Sequence, residues 1–192
     1  MGRDQNSLIN ILGEEKSVDN AQESDIMKKE KGDGAGKSVS WVSTGGNRNE
    51  RALTAEQISQ CVEYAEALGM PKEQIRYGDH YNTSYGSGFD MLYIGTDAYP
   101  VEAGRSANQR LSYKAAIAHE LIGHRETCIR GTNLDGEDTV LDEVQASIRA
   151  ARFAPGLTEQ ERMDLLQDAE ERLEKDGRCI DEVRHMLDIE RG

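Results

Sequence analysis

At 192 residues, 36% hydrophobic and 31% charged, the chain is long enough for one ordinary domain and a tail, and too short for two sizeable cores. Its net charge of −13, from 36 acidic and 23 basic residues with no basic run, argues against nucleic-acid binding and hence against a nuclease, because docking on phosphates needs a basic face. The apolar stretches are only a few residues long, so none spans a bilayer.

The opening segment Met1-Gly2-Arg3-Asp4-Gln5-Asn6 lacks the apolar core of a secretory signal, and signal-independent secretion, as of one domain cut from a longer protein, stays open. Three widely spaced cysteines, Cys61, Cys128 and Cys179, do not make a disulfide framework. A reducing compartment, the cytoplasm of a producing or target cell, fits that thiol usage.

Residues 1–50 read as a disordered leader, with the charge cluster Lys28-Lys29-Glu30-Lys31, glycines from Gly32 to Gly36 and few apolar side chains. Within it, Leu8-Ile9-Asn10-Ile11-Leu12 could dock, Trp41 could open a first strand, and Gly36-Lys37-Ser38 lacks the remainder of a phosphate loop. The domain, 51–192, starts its regular structure near Leu53. Thr54-Ala55-Glu56-Gln57 has capping-box form, and Ile58, Val62, Ala65 and Leu68 follow at helical spacing until Gly69. Gln74 to Tyr77 and Phe89 to Ile94 read as strands joined by a flexible hairpin loop from Gly78 to Gly88, with Met91 to Ile94 as the edge on which an extended peptide would align.

One long helix is expected from Ser106 to Thr127, then a polar loop from Cys128 to Thr139 and a helix from Val140 to Phe153 stopped by Pro155-Gly156. Thr158-Glu159-Gln160-Glu161 caps a charged amphipathic helix to Lys175, and a last helix runs from Ile180 to Ile189. The excess acid toward the carboxyl end reads as a solvated surface. The sum is a small, helix-rich α+β domain with a short β-sheet.

The chemistry concentrates in His119-Glu120-Leu121-Ile122-Gly123-His124, which holds two of the chain's 4 histidines. Two imidazoles and a carboxylate can hold zinc and leave a coordination position for water, and an adjacent glutamate can take that water's proton. The common His-Glu-x-x-His spacing puts both imidazoles on one helical face. A spacing of five leaves the second roughly 140° away on a regular α-helix. A π-bulge returns both to one face, and Gly123 is the natural place for the distortion.

The segment resembles the His-Glu-x-x-Gly-His motif of the dipeptidyl peptidase III family of zinc peptidases. That resemblance implies His119 and His124 as zinc ligands and Glu120 as general base. Asp142-Glu143-Val144-Gln145-Ala146-Ser147 is similar to the family's second motif, which implies Glu143 as third ligand. Asp142 stands there for a glutamate, and Ser147 replaces the motif's final acid. The likeness is confined to these two motifs, so it implies a zincin style of site and carries no substrate preference.

The residues support the same third ligand on their own account. Glu143 borders the face shared by Val140, Val144, Ser147, Ile148 and Ala151, on a helix that can fold back antiparallel on the motif helix. A carboxylate beside a core stripe needs a partner. Asp142 could be a ligand itself or hold a histidine in place. His80, Tyr81 and Tyr85 are candidate donors to an oxyanion or simply packed loop residues. Cys128 reads as a structural thiol, and His185 as a surface residue.

These residues point to a zincin-like metallohydrolase using Zn2+ on a peptide or protein substrate, with no nucleic acid and no membrane involved. The alternative is a non-catalytic interaction module with a structural zinc, whose binding surface would be the acidic helices from Thr158 onward. A disordered leader before a small hydrolytic domain is also similar to the toxin tips of bacterial polymorphic effectors, which implies a cognate immunity protein as a partner.

Overall fold

A computed structural model describes residues 49, 51–101 and 104–190. The expected leader, including the apolar run at 8–12, Trp41 and the glycine-rich stretch, lies outside the described residues except for Asn49.

Helix α1, Ala55–Ala67, begins at the expected capping box, in which Thr54 accepts from the Gln57 amide and the Gln57 side chain accepts from the Thr54 amide. Three short strands follow: β1, Ile75–Tyr77; β2, Ser84–Gly86; and β3, Met91–Ile94. The two expected strands exist, but they do not form a hairpin. β1 and β3 are parallel, with Ile75 opposite Leu92 and Tyr77 opposite Ile94. The connecting loop holds β2, which lies antiparallel on the other side of β3. The order β1-β3-β2 makes β3 the central strand, so the free edge on the β2 side belongs to Ser84–Gly86 and not to Met91–Ile94. Ser-Tyr-Gly carries no apolar alternation, which hid this strand from a pattern reading. Loop residues are pinned by buried Asp97, whose Oδ1 accepts from both the amide and the hydroxyl of Thr83 at 2.7 Å.

The expected long helix from Ser106 is broken. Helix α2, Ala107–Arg110, ends at Leu111, whose ψ of 125° is not helical. Ser112 then caps a new helix, α3, Tyr113–Ala118, by accepting from the Ala115 amide. From there the chain runs without interruption through a π-helical segment, His119–Arg125, into α4, Glu126–Arg130. Helix α5, Thr139–Phe153, is capped by Asp138 and buried over most of its surface. Helix α6, Glu159–Asp176, has the expected capping box and ends at Gly177 with φ +79°. The last helix, α7, stops early: Ile180–Val183 is followed by a 3-10 turn, Arg184–Met186, on which His185 is exposed. Beyond it the carbonyls of Asp188 and Ile189 accept from Arg149 and Arg152, at 2.8 and 2.7 Å, which holds this end of the chain out of helical form.

The fold is α+β, with helices dominant. α5 lies between the π segment and α6, and β2 packs against the π segment. Ile75, Leu92 and Ile94 of the sheet join Ile117 and Leu121 of the motif helix and Leu141, Val144 and Ile148 of α5 in one core. Among the described residues, no helix is long and apolar enough to cross a membrane.

Candidate metal centre

The five-residue spacing is resolved by a π-helix. His119–Arg125 carries the wider turn, and the Glu126 amide reaches back to the Leu121 carbonyl. The loosened carbonyls find partners. Thr127 Oγ1 donates to Gly123 O at 2.9 Å and His124 O at 3.1 Å, and fully buried Arg149 donates through Nε to Ile122 O at 3.2 Å. Gly123 lies within the π segment, where the distortion is expected, and it is also closely packed. Its φ is not positive, and a Cβ there would lie 2.5 Å from Ala146 Cβ and 2.6 Å from Ala146 Cα. Glycine is needed so that the motif helix and α5 can touch backbone to backbone.

That contact brings the predicted ligands together. His119 Nε2 lies 3.2 Å from His124 Nε2 and 3.2 Å from Glu143 Oε2, and His124 Nε2 is 3.8 Å from Glu143 Oε1. One ligand atom from each of the three residues falls within 4.8 Å of the others.

The hydrogen-bond partners fix which ring nitrogens carry protons. His124 Nδ1 lies 2.9 Å from Asp142 Oδ2, and an ionised carboxylate only accepts, so Nδ1 holds the hydrogen. Asp142 is itself held by the Leu134 amide, which donates to Oδ1 at 2.6 Å. Ser147 Oγ donates to Asp168 Oδ2 at 2.8 Å, so toward His119 Nδ1, 3.0 Å away, it can only accept. In their neutral forms both imidazoles therefore turn an Nε2 lone pair toward the other and toward Glu143. Three lone-pair donors at this separation repel unless a cation lies among them, and two neutral imidazoles with one carboxylate are a donor set that zinc takes.

The same convergence attracts a proton. Burial alone would lower the pKa of His124, but the hydrogen bond to Asp142 and the charges of Glu143 and Glu120 outweigh it and push it up to about 9. Burial also works to raise Glu143, yet His119 and the guanidinium of Arg172 hold it well below the usual carboxylate range. Asp142 is likewise lowered, because the hydrogen bond and charge of His124 exceed the cost of burial.

Glu120 faces the opposite balance. It is buried, and burial raises its pKa against the opposing pull of His119 and His124. Its Oε2 accepts from the Tyr85 amide of β2 at 2.8 Å. Tyr85 thus reaches the site by its backbone. Its hydroxyl donates to Asp90 Oδ1 at 3.1 Å, and Asp90 is gripped through both oxygens by Arg125, at 2.6 and 2.7 Å. The structure does not place the other two loop candidates at the centre. His80 stacks on Tyr81 with centroids 4.0 Å apart, Tyr81 packs edge-on against Tyr93, and no hydrogen bond joins His80 or Tyr81 to the histidine–carboxylate group.

The chain matches no protein-family model, no curated protein and no solved structure. Its site has to be read from its own chemistry.

Three residues of that site escaped the sequence reading. Ser147 reads in the sequence as a departure from a motif and a member of the α5 core face, whereas in the fold it is the partner of His119. Asp168 and Arg172 lie on α6, where an i, i+4 pair of opposite charges reads as solvated surface. Both face inward: Arg172 Nη1 lies 2.8 Å from Glu143 Oε2 and its Nε 2.7 Å from Asp168 Oδ2. The burial of Asp164 and Asp168 also removes part of the charged face expected for a binding surface on this helix.

Proposed function

We propose that the chain is a zinc-dependent hydrolase acting on peptide bonds, with His119, His124 and Glu143 holding the metal and Glu120 as general base. The observation that carries this reading is the convergence of two imidazole lone pairs and one carboxylate beside a buried glutamate that is not among the three. Bound zinc would supply a Lewis acid and lower the pKa of a water toward neutrality. Glu120 would take a proton from the attacking water onto its carboxylate and return it to the leaving nitrogen. Its raised pKa suits it to both transfers, and the Tyr85 amide fixes its orientation.

Peptide as substrate is supported by β2. It is the sheet edge packed on the π segment, and its Tyr85 already touches Glu120. An extended chain adding to that edge would lie alongside the general base. A closed structural zinc site takes four protein ligands, and the group among the described residues has three, which favours the catalytic reading.

Metal analysis of the purified chain tests the proposal. One zinc per chain is expected in the wild type and none in His119→Ala or Glu143→Ala, with peptide hydrolysis following the metal. A wild type that takes up no zinc at neutral pH would overturn it.

Zinc uptake should also depend on pH in a defined direction. Above the ordinary imidazole value of 6.5 and up to about 9, His124 is protonated in the metal-free protein and must lose that proton to bind. Zinc affinity is therefore expected to rise about tenfold per pH unit across that interval and to level off beyond it. Titrations in a zinc-competing chelator read this out. A plateau already reached near pH 6.5 would show that Asp142, Glu143 and Glu120 do not hold a proton on His124.

A further inference from the structure

We infer that Asp168 is a positioning residue for the metal site and that it acts on His119 through the hydroxyl of Ser147. The inference rests on the zinc-site reading above and extends the site to a third helix. His119 comes from the π segment and Ser147 from α5, but Asp168 comes from the middle of α6, a helix otherwise rich in surface charge. Ser147 is fully buried and Asp168 is 2% exposed, so water does not compete for either contact.

The argument turns on direction. A serine hydroxyl has one hydrogen and can donate it to only one neighbour. With Asp168 in place the hydrogen goes to Oδ2, and Oγ must accept from His119. The proton of His119 is then fixed at Nδ1, and Nε2 is left free to bind. Without an acceptor at 168 the hydroxyl can turn and donate to Nδ1, which moves the imidazole proton to Nε2 and blocks it as a ligand. Asp168 thus sets the tautomer of a side chain that it does not touch. Arg172 secures the device from behind, donating through Nε to the Asp168 oxygen that receives the serine hydrogen and pairing through Nη1 with Glu143. A carboxylate that orients a metal-binding histidine usually does so directly. Here the acid is one residue removed, and serine transmits its polarity.

The test compares Ser147→Ala, Asp168→Ala, the double variant and Ser147→Thr in the full chain. Zinc affinity is read by chelator competition, and the His119 tautomer by 15N NMR of the metal-free protein. Each alanine variant is expected to bind zinc about 10- to 100-fold more weakly, the range for lost partners of metal ligands. The double variant should be no weaker than the poorer single, because the two groups act in series. Ser147→Thr, which keeps the hydroxyl, should stay within a few-fold of the wild type. In the spectra, His119 should carry its proton on Nδ1 in the wild type and shift toward Nε2 in Asp168→Ala.

Losses that multiply in the double variant, or a His119 tautomer unchanged in Asp168→Ala, would overturn the relay while leaving the zinc site standing. A wild type that binds no zinc would overturn the zinc site itself, and the tautomer shift would then decide whether the relay exists without it. Reading the tautomer needs no metal, so variants that merely fail to fold are recognised by the loss of the wild-type spectrum elsewhere.

Discussion

Glu120→Gln is expected to retain its zinc and to hydrolyse peptides about 100- to 10,000-fold more slowly than the wild type, the range over which a positioned acid–base group contributes. Glutamine has the same shape, and its side-chain oxygen can still accept from the Tyr85 amide. What it lacks is the ability to take up a proton. None of the three proposed ligands is altered, so zinc content separates loss of chemistry from loss of the site.

The same variant carries a second, opposite expectation for stability. Burial raises the Glu120 pKa above its ordinary 4.5, which means that the folded protein holds that proton more tightly than the unfolded chain does. Above the raised pKa the native state bears the cost of a buried charge. Glutamine removes that cost, so the metal-free variant should melt no lower than the wild type at neutral pH. Any advantage should shrink as the pH falls through the raised value toward 4.5. A residue kept for packing would behave otherwise: its replacement would lower the melting temperature and leave hydrolysis per bound zinc unchanged. Either of those results would remove Glu120 from the mechanism.

Much of this site can be read in the sequence because its constraints are local. Two histidines five positions apart demand a wider turn to share one face, and the chain forms a π-helix over His119–Arg125. Glu143 and Asp142 are adjacent on one helix, and their positions beside the apolar stripe of α5 suffice to bring them to His119 and His124. Capping boxes at Thr54 and Thr158 mark helix starts because the interaction spans only three residues.

What the sequence conceals depends on distant partners. Ser112 breaks the expected helix and donates to Glu161 on α6, 49 residues away, so that neither residue alone announces the break. β2 exists because β3 offers it a free side, not because Ser-Tyr-Gly favours a strand. Asp168 and Arg172 look like any surface pair until α6 is laid against α5. Tyr85 looked like a hydroxyl donor, and only the fold shows that its amide is the part that matters.

Gly123 carries the other large effect. Gly123→Ala is expected to unfold several degrees below the wild type and to lose most of its zinc. The added Cβ would sit 2.5 Å from Ala146 Cβ, 2.6 Å from its Cα and 2.8 Å from its carbonyl oxygen. The last two are backbone atoms and cannot swing aside, so one helix has to move. Overpacking of this kind costs about 1–3 kcal/mol. For a domain of this size, each kcal/mol lowers the melting temperature by about 2–4 °C. The proposed metal site is more sensitive than the fold, because His119 and His124 stand on one of the two helices and Glu143 on the other. A displacement that the core absorbs is enough to separate ligand atoms that must stay within about 0.5 Å of their positions.

The alternative role for this glycine, freedom to form the π turn, makes a different prediction for the double variant Gly123→Ala with Ala146→Gly. If close approach is the constraint, removing the Ala146 Cβ relieves the shortest of the three contacts, and part of both the stability and the zinc should return. If π-turn flexibility is the constraint, the second substitution adds a glycine to the middle of α5 and makes matters worse, by about 1 kcal/mol. Melting curves and zinc content of the three variants decide between the two, and recovery in the double variant would assign Gly123 to the contact between the helices that carry the site.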